Sequence, residues 1–99
     1  MKGHILSQPA IKYLEEIIDY FSNRNVEAGE RFINKFDNKC KNLANFPNMG
    51  RSYDDIKSFL RGLPLAGYII VYRVIDDGIE VIKVISGDRD LESLFLEDE

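Results

Sequence analysis

Residues Arg61–Asp90 read RGLPLAGYIIVYRVIDDGIEVIKVISGDRD, and this stretch decides the fold. Tyr68–Ile75 and Ile79–Ile85 are rich in β-branched and aromatic residues, and Asp76, Asp77 and Gly78 between them supply a turn with one residue able to take positive φ. The pattern predicts a β-hairpin. With Ile75 opposite Ile79, one face carries Tyr68, Ile70, Tyr72 and Val74 with Glu80, Ile82, Val84 and Ser86. The other carries Ile69, Val71, Arg73 and Ile75 with Ile79, Val81, Lys83 and Ile85. Neither face is polar throughout, so the chain's own helices are expected on one and a partner on the other. Arg73 and Lys83 mark the outer face, because two long cations are the harder groups to bury.

Outward from the hairpin, His4–Leu6 is a short strand candidate, and Ser7 is placed to cap a helix with Pro9 in its first turn. Ala10, Tyr13, Leu14, Ile17, Ile18 and Phe21 follow the spacing of a helix that buries one stripe and ends near Ser22 or Asn23. After the polar break Asn23–Asn25, a second helical pattern runs through Ala28, Phe32, Phe36, Cys40 and Leu43, with Phe46 in line to extend it, until Pro47 stops it. So short a break makes the two helices an antiparallel hairpin. Glu27 with Arg31 and Asp37 with Lys41 are spaced for exposed ion pairs. A turn at Phe46–Gly50 and a polar loop through Asp55 lead to a third strand expected at Ile56–Leu63. Beyond the hairpin, Leu91, Leu94 and Phe95 are spaced for one helical turn docking an apolar edge. The expected fold is therefore α+β: an N-terminal strand, a helical hairpin, then a three-stranded antiparallel meander, with the helices on one face of the sheet.

The 99 residues suit a single domain, 1–99, able to bury about 60 to 70 % of its unfolded surface without metal or disulfide. Four of the 17 carboxylates, Glu92, Glu97, Asp98 and Glu99, fall in residues 92–99, leaving 13 to balance the 13 Lys and Arg. The net charge of −4 thus belongs to an acidic C-terminal tail. One cysteine, Cys40, and one histidine, His4, provide neither an internal disulfide nor a metal-ligand set. No apolar run is long enough to span a bilayer, and no signal-peptide pattern follows Met1 and Lys2. A cytoplasmic protein without membrane contact or cofactor is expected.

The motif order resembles a known family. Ser7, Ala10 and Leu14 opening a helix, FPNMGR at 46–51, RGLP at 61–64, YIIVYRV at 68–74 and ISGDRDL at 85–91 resemble the RelE/ParE superfamily of bacterial toxins, closer to its ParE branch. The resemblance implies a compact toxin neutralised by an antitoxin whose extended or helical tail wraps it. In the ParE branch it implies a poison of DNA gyrase, and in the RelE branch an endonuclease cutting mRNA on the ribosome. Direct DNA binding is not expected of the toxin without its antitoxin.

RNA cleavage needs a base, an acid and several cations around the phosphorane. Where the ribonuclease branch brings lysines and an arginine, this chain has Leu60, Gly62 and Ile69, and where that branch has a C-terminal tyrosine the nearest aromatic is Phe95. Ser86 stands where ParE-like chains commonly show a histidine. Arg89 matches the arginine that ends the last strand in both branches, although Asp88 and Asp90 partly cancel its field. The expectation is a toxin that inhibits gyrase by binding. The alternatives are a RelE-like nuclease and a disarmed homologue that keeps antitoxin binding and operon autoregulation. No catalytic residue is assigned. Arg61, Arg73, Lys83 and Arg89 are the toxicity candidates; Ile69, Val71, Val81, Ile85, Leu91, Leu94 and Phe95 are the expected antitoxin contacts.

Overall fold

A computed structural model describes residues 3–87. Strand β1 (Gly3–Leu6) is followed by helices α1 (Gln8–Arg24) and α2 (Val26–Asn45) and a 3-10 turn at Pro47–Met49. Four strands complete the chain: β2 (Arg51–Ser52), β3 (Arg61–Leu65), β4 (Tyr68–Ile75) and β5 (Gly78–Ser86). The sheet order is β1-β5-β4-β3-β2, with β1 parallel to β5 and the other neighbours antiparallel. The strand, helical hairpin and meander lie in the expected order.

A single residue joins the helices. The backbone N–H of Asn25 donates to the Phe21 carbonyl at 2.9 Å and ends α1, while its side-chain oxygen accepts from the Glu27 N–H at 2.9 Å and starts α2. The pairs Glu27–Arg31 and Asp37–Lys41 form on the exposed side of α2. Phe21, Phe32 and Tyr68 bring the hairpin onto the sheet, the first two rings stacked at 5.3 Å and Tyr68 edge-on to Phe32 at 5.6 Å. Cys40 is fully buried in the same core, and burial, aided by the nearby Asp37 charge, pushes its thiol up to about 12.

The register of the β4–β5 hairpin corrects the sequence reading. Ile75 pairs with Gly78, and Val74 with Ile79. Farther along, Tyr72 pairs with Val81 but Val71 with Lys83, so Ile82 is an extra residue in β5. Ile79 and Val81, placed on the outer face by simple alternation, therefore sit fully buried with Ile70, Tyr72 and Val84 under the helices. Glu80 moves the other way and binds Arg73. Gly78 is required twice over: its φ is 138°, and a Cβ there would collide with the Gly3 backbone of β1.

The third strand begins at Arg61, five residues later than its apolar pattern indicated, and residues 53–60 instead form successive turns. This segment lies as a strap over the outer face. Tyr53, Ile56 and Leu60 pack on Val71 and Ile85, with Ile69 and Ile82 at the margin. The apolar second face is thus covered from within.

Ser7 fastens the bulge to the first helix. Its N–H donates to the Val81 carbonyl at 2.9 Å, its hydroxyl donates to the Ile82 carbonyl at 2.8 Å, and the same oxygen accepts from the Ala10 N–H at 3.2 Å. Ser7→Ala removes a helix cap and orphans the bulge carbonyl, so urea denaturation is expected to show a loss of about 1 to 2 kcal/mol. Thr at this position should recover most of that loss.

Candidate functional site

Two features of the described surface are candidates for contact with a partner. The first is a groove along α1. At its N-terminal end it is lined by Gln8, Pro9 and Lys12; Tyr13 and Glu16 carry it onward to the end of the sheet, where Ile17, Tyr68, Val84 and Ile85 line it. Its walls combine aromatic and aliphatic surface with charged Lys12 and Glu16, the lining that an amphipathic segment requires.

The second is the turn at Phe46–Gly50, held from below by two side chains of the sheet. Fully buried Tyr72 donates its phenol proton to the Pro47 carbonyl at 2.6 Å, and the same oxygen accepts the Gly50 N–H at 3.0 Å. Burial raises the phenol pKa above its usual value, with the Gly50 N–H and the Arg61 charge opposing the shift. Arg61, opposite Tyr72 in the β3–β4 ladder, donates from Nη1 to the Gly50 carbonyl at 2.6 Å and to the Asn48 carbonyl at 3.4 Å. A Cβ on Gly50 would collide with the Tyr72 hydroxyl. The turn so held leaves Phe46 and Met49 exposed.

The toxicity candidates do not converge. Arg61 lies in the ladder row of Tyr72 and is committed to backbone carbonyls. Arg73 is on the opposite face, bound to Glu80 and half exposed. Lys83 is buried opposite Val71. Of the expected antitoxin contacts, Val71 and Ile85 lie beneath the strap with Ile69 beside them, while Val81, opposite Tyr72 in the ladder, belongs to the helix-side core. Ile85 alone of these also reaches the α1 groove. Arg89, Leu91, Leu94 and Phe95 lie outside the described residues, as does the 92–99 tail. Among the described residues no group of His, Cys, Asp and Glu could hold a metal ion, and no helix is long and apolar enough to cross a membrane.

Tyr72→Phe tests the anchor of the turn. Removing the hydroxyl leaves the buried Gly50 N–H and the partly buried Pro47 carbonyl without this partner, and a loss of about 1 to 3 kcal/mol at neutral pH is expected in urea denaturation. Because the folded pKa is raised, the phenol's contribution is complete below the unfolded value near 10 and falls as pH rises through the folded value. The stability gap between wild type and Tyr72→Phe should therefore narrow above pH 10.

Comparison with known proteins bears on the whole chain. Residues 5–91 match the profile of the family described as the ParE toxin of the type II toxin-antitoxin system parDE. No curated protein matches by sequence. Among solved structures, a chain of the chromosomal ParDE TA system from P. aeruginosa superposes with a TM-score of 0.71 at 18% sequence identity, covering 87% of this chain and 96% of that one. That likeness is one of fold. With the family profile spanning the strand, the helical hairpin and the meander, this chain belongs to the ParE toxin family of type II toxin-antitoxin systems.

Proposed function

We propose that this chain inhibits DNA gyrase by binding it, and that an antitoxin seated along the α1 groove neutralises it. The antitoxin is supported by family membership and by a structural neighbour that is part of a ParDE TA system. A toxin that works without cleaving RNA is supported by one observation above others: Arg61, Arg73 and Lys83 are distributed over two sheet faces and engaged or buried there. Phosphoryl transfer requires cations gathered about a single point together with groups that exchange protons. Tyr72, opposite Arg61 in the ladder, is buried and uses its hydroxyl proton and a lone pair on the turn.

The groove suits the antitoxin because a segment that folds on binding brings side chains that must enter a concavity. Tyr13 stands where the two halves of the groove meet. Tyr13→Asp should weaken the antitoxin complex about tenfold or more while leaving inhibition of gyrase intact.

Purified protein should inhibit supercoiling by purified gyrase, and expression without antitoxin should provoke DNA-damage signalling and filamentation while transcripts stay whole. Arg89→Ala should abolish this toxicity and retain the antitoxin complex. Mapped ribosome-dependent cuts in mRNA would replace this reading with the nuclease one. Unimpaired growth in cells filled with soluble, folded protein would indicate a disarmed toxin.

A further inference from the structure

The groove along α1 has a lysine and a glutamate that do not satisfy each other. Lys12 and Glu16 stand one helical turn apart on its wall, Lys12 toward the Gln8 end and Glu16 toward Ser86, yet among the described residues neither is in an ion pair. Lysine ahead of glutamate is the weaker order for a pair at this spacing, so both charges remain open to an occupant. The first turn of α1 holds no acidic residue, and no carboxylate of its own offsets the positive end of the helix dipole there. Between the two ends the lining is largely apolar, with Pro9, Tyr13, Ile17 and Val84.

The chain itself leaves the sheet beside this groove. Ser86 ends β5 and lines the groove with Ile17, and the N–H of Gly87 donates to the Gly67 carbonyl at 2.9 Å. Helix α1 runs alongside the second half of β5, from Ser7 at Val81 and Ile82 to Ile17 at residues 84–86. A segment that leaves Ser86 and turns back therefore meets the groove from Ile17 toward Gln8. The sequence that follows fits that course in length, pattern and charge. With 88–90 making the turn, residues 91–99 span about 14 Å as a helix, against about 15 Å for residues 8–17 of α1. Leu91, Leu94 and Phe95 make one apolar stripe at helical spacing. Arg89, the segment's one cation, falls between Asp88 and Asp90 at the Glu16 end, and Glu97, Asp98 and Glu99 fall at Lys12 and the start of α1. Three carboxylates at the end of a helix oppose its own dipole, and an antiparallel α1 offsets that conflict.

We propose that residues 88–99 lie in the α1 groove as a helix antiparallel to α1 and occupy it until a partner displaces them. Three observations select this occupant: the chain leaves β5 at one end of the groove, the segment matches the groove in length, and its acidic cluster falls at Lys12. A helix this short is unstable by itself in water, so the segment takes this form only against the groove. Its tether holds it at an effective concentration on the order of millimolar, which a free segment must overcome. Leu91, Leu94 and Phe95, expected from the sequence as antitoxin contacts, become residues that compete with the antitoxin. The competition rests on the reading that the antitoxin takes this groove, and the docking does not.

A nitroxide spin label reports the docking in the full chain by nuclear magnetic resonance. Cys40 is fully buried and its thiol is pushed up to about 12, so Ser93→Cys, off the apolar stripe, takes the label alone. The label should broaden the amide signals of Lys12, Tyr13 and Glu16 and spare Arg51 and Ser52 on the far edge of the sheet. Leu94→Asp combined with Phe95→Asp should abolish the broadening and leave the rest of the spectrum in place; Lys12→Glu should reduce it and Lys12→Arg should keep it. The same double variant should bind the cognate antitoxin about fivefold or more tighter, because its groove is open. Signals along α1 as sharp in the labelled chain as after reduction of the label would overturn the docking, as would broadening that survives the double variant. Weaker antitoxin binding by the double variant would overturn the competition and return Leu94 and Phe95 to the antitoxin's contacts. Broadening untouched by saturating antitoxin would overturn the groove as the antitoxin's site while leaving the segment docked in it.

Discussion

The extra residue in β5 governs the arrangement of both sheet faces. Without Ile82 as a bulge, strict alternation would put either Val81 or Val84 outside the helical layer; with it, both point inward and Ile82 joins the outer cluster. The cost of a bulge is a carbonyl removed from the ladder. Ser7 meets that cost with its hydroxyl while capping α1 with the same oxygen, so the start of the helix, the end of β1 and the irregularity in β5 form one joint. The position of α1 over the sheet, and hence the groove beside it, depends on that joint.

The outer face shows how a small domain covers two apolar sheet faces with one helical layer. A 99-residue chain has too little material for a second layer of helices. It uses instead the strap of residues 53–60, which places Tyr53, Ile56 and Leu60 over Val71 and Ile85. The expected need for a partner on this face disappears, because a loop met it. The strap also ends the outer face as an open platform on which Arg73 and Lys83 could act together with Arg61, which reaches the opposite side of the sheet.

Much of this was legible in the residues. The stripe from Ala10 to Phe21, the cap at Ser7 and the stop at Pro47 located both helices, since helical periodicity accumulates over many residues and local capping chemistry marks its ends. The hairpin was equally plain, but its register was not. The turn places Ile75 opposite Gly78 and not Ile79, which moves Ile79, Glu80, Val81 and Ile82 to the faces opposite those expected, and the bulge at Ile82 then returns Lys83–Ser86 to the expected ones; neither shift has a composition signal of its own. The strap was misread because Ile56 to Leu63 has strand-like composition; its turns come from the left-handed Phe59 and its clasp on Asp54, which no periodicity reports. The surface was the least legible, since concavities gather residues such as Gln8, Tyr13, Tyr68 and Val84 that lie far apart in the chain.

The cations illustrate why residue type alone misleads about function. Arg61 has the charge and position to suggest chemistry at a phosphate, yet its guanidinium satisfies carbonyls that the 3-10 turn leaves unpaired, and Tyr72 beneath it does the same with its hydroxyl. Two groups with catalytic potential are thereby converted into supports for a loop. Buried polar groups fixed in this way favour one geometry over all others, so the turn at Phe46–Gly50 is held in a single arrangement at the edge of the sheet.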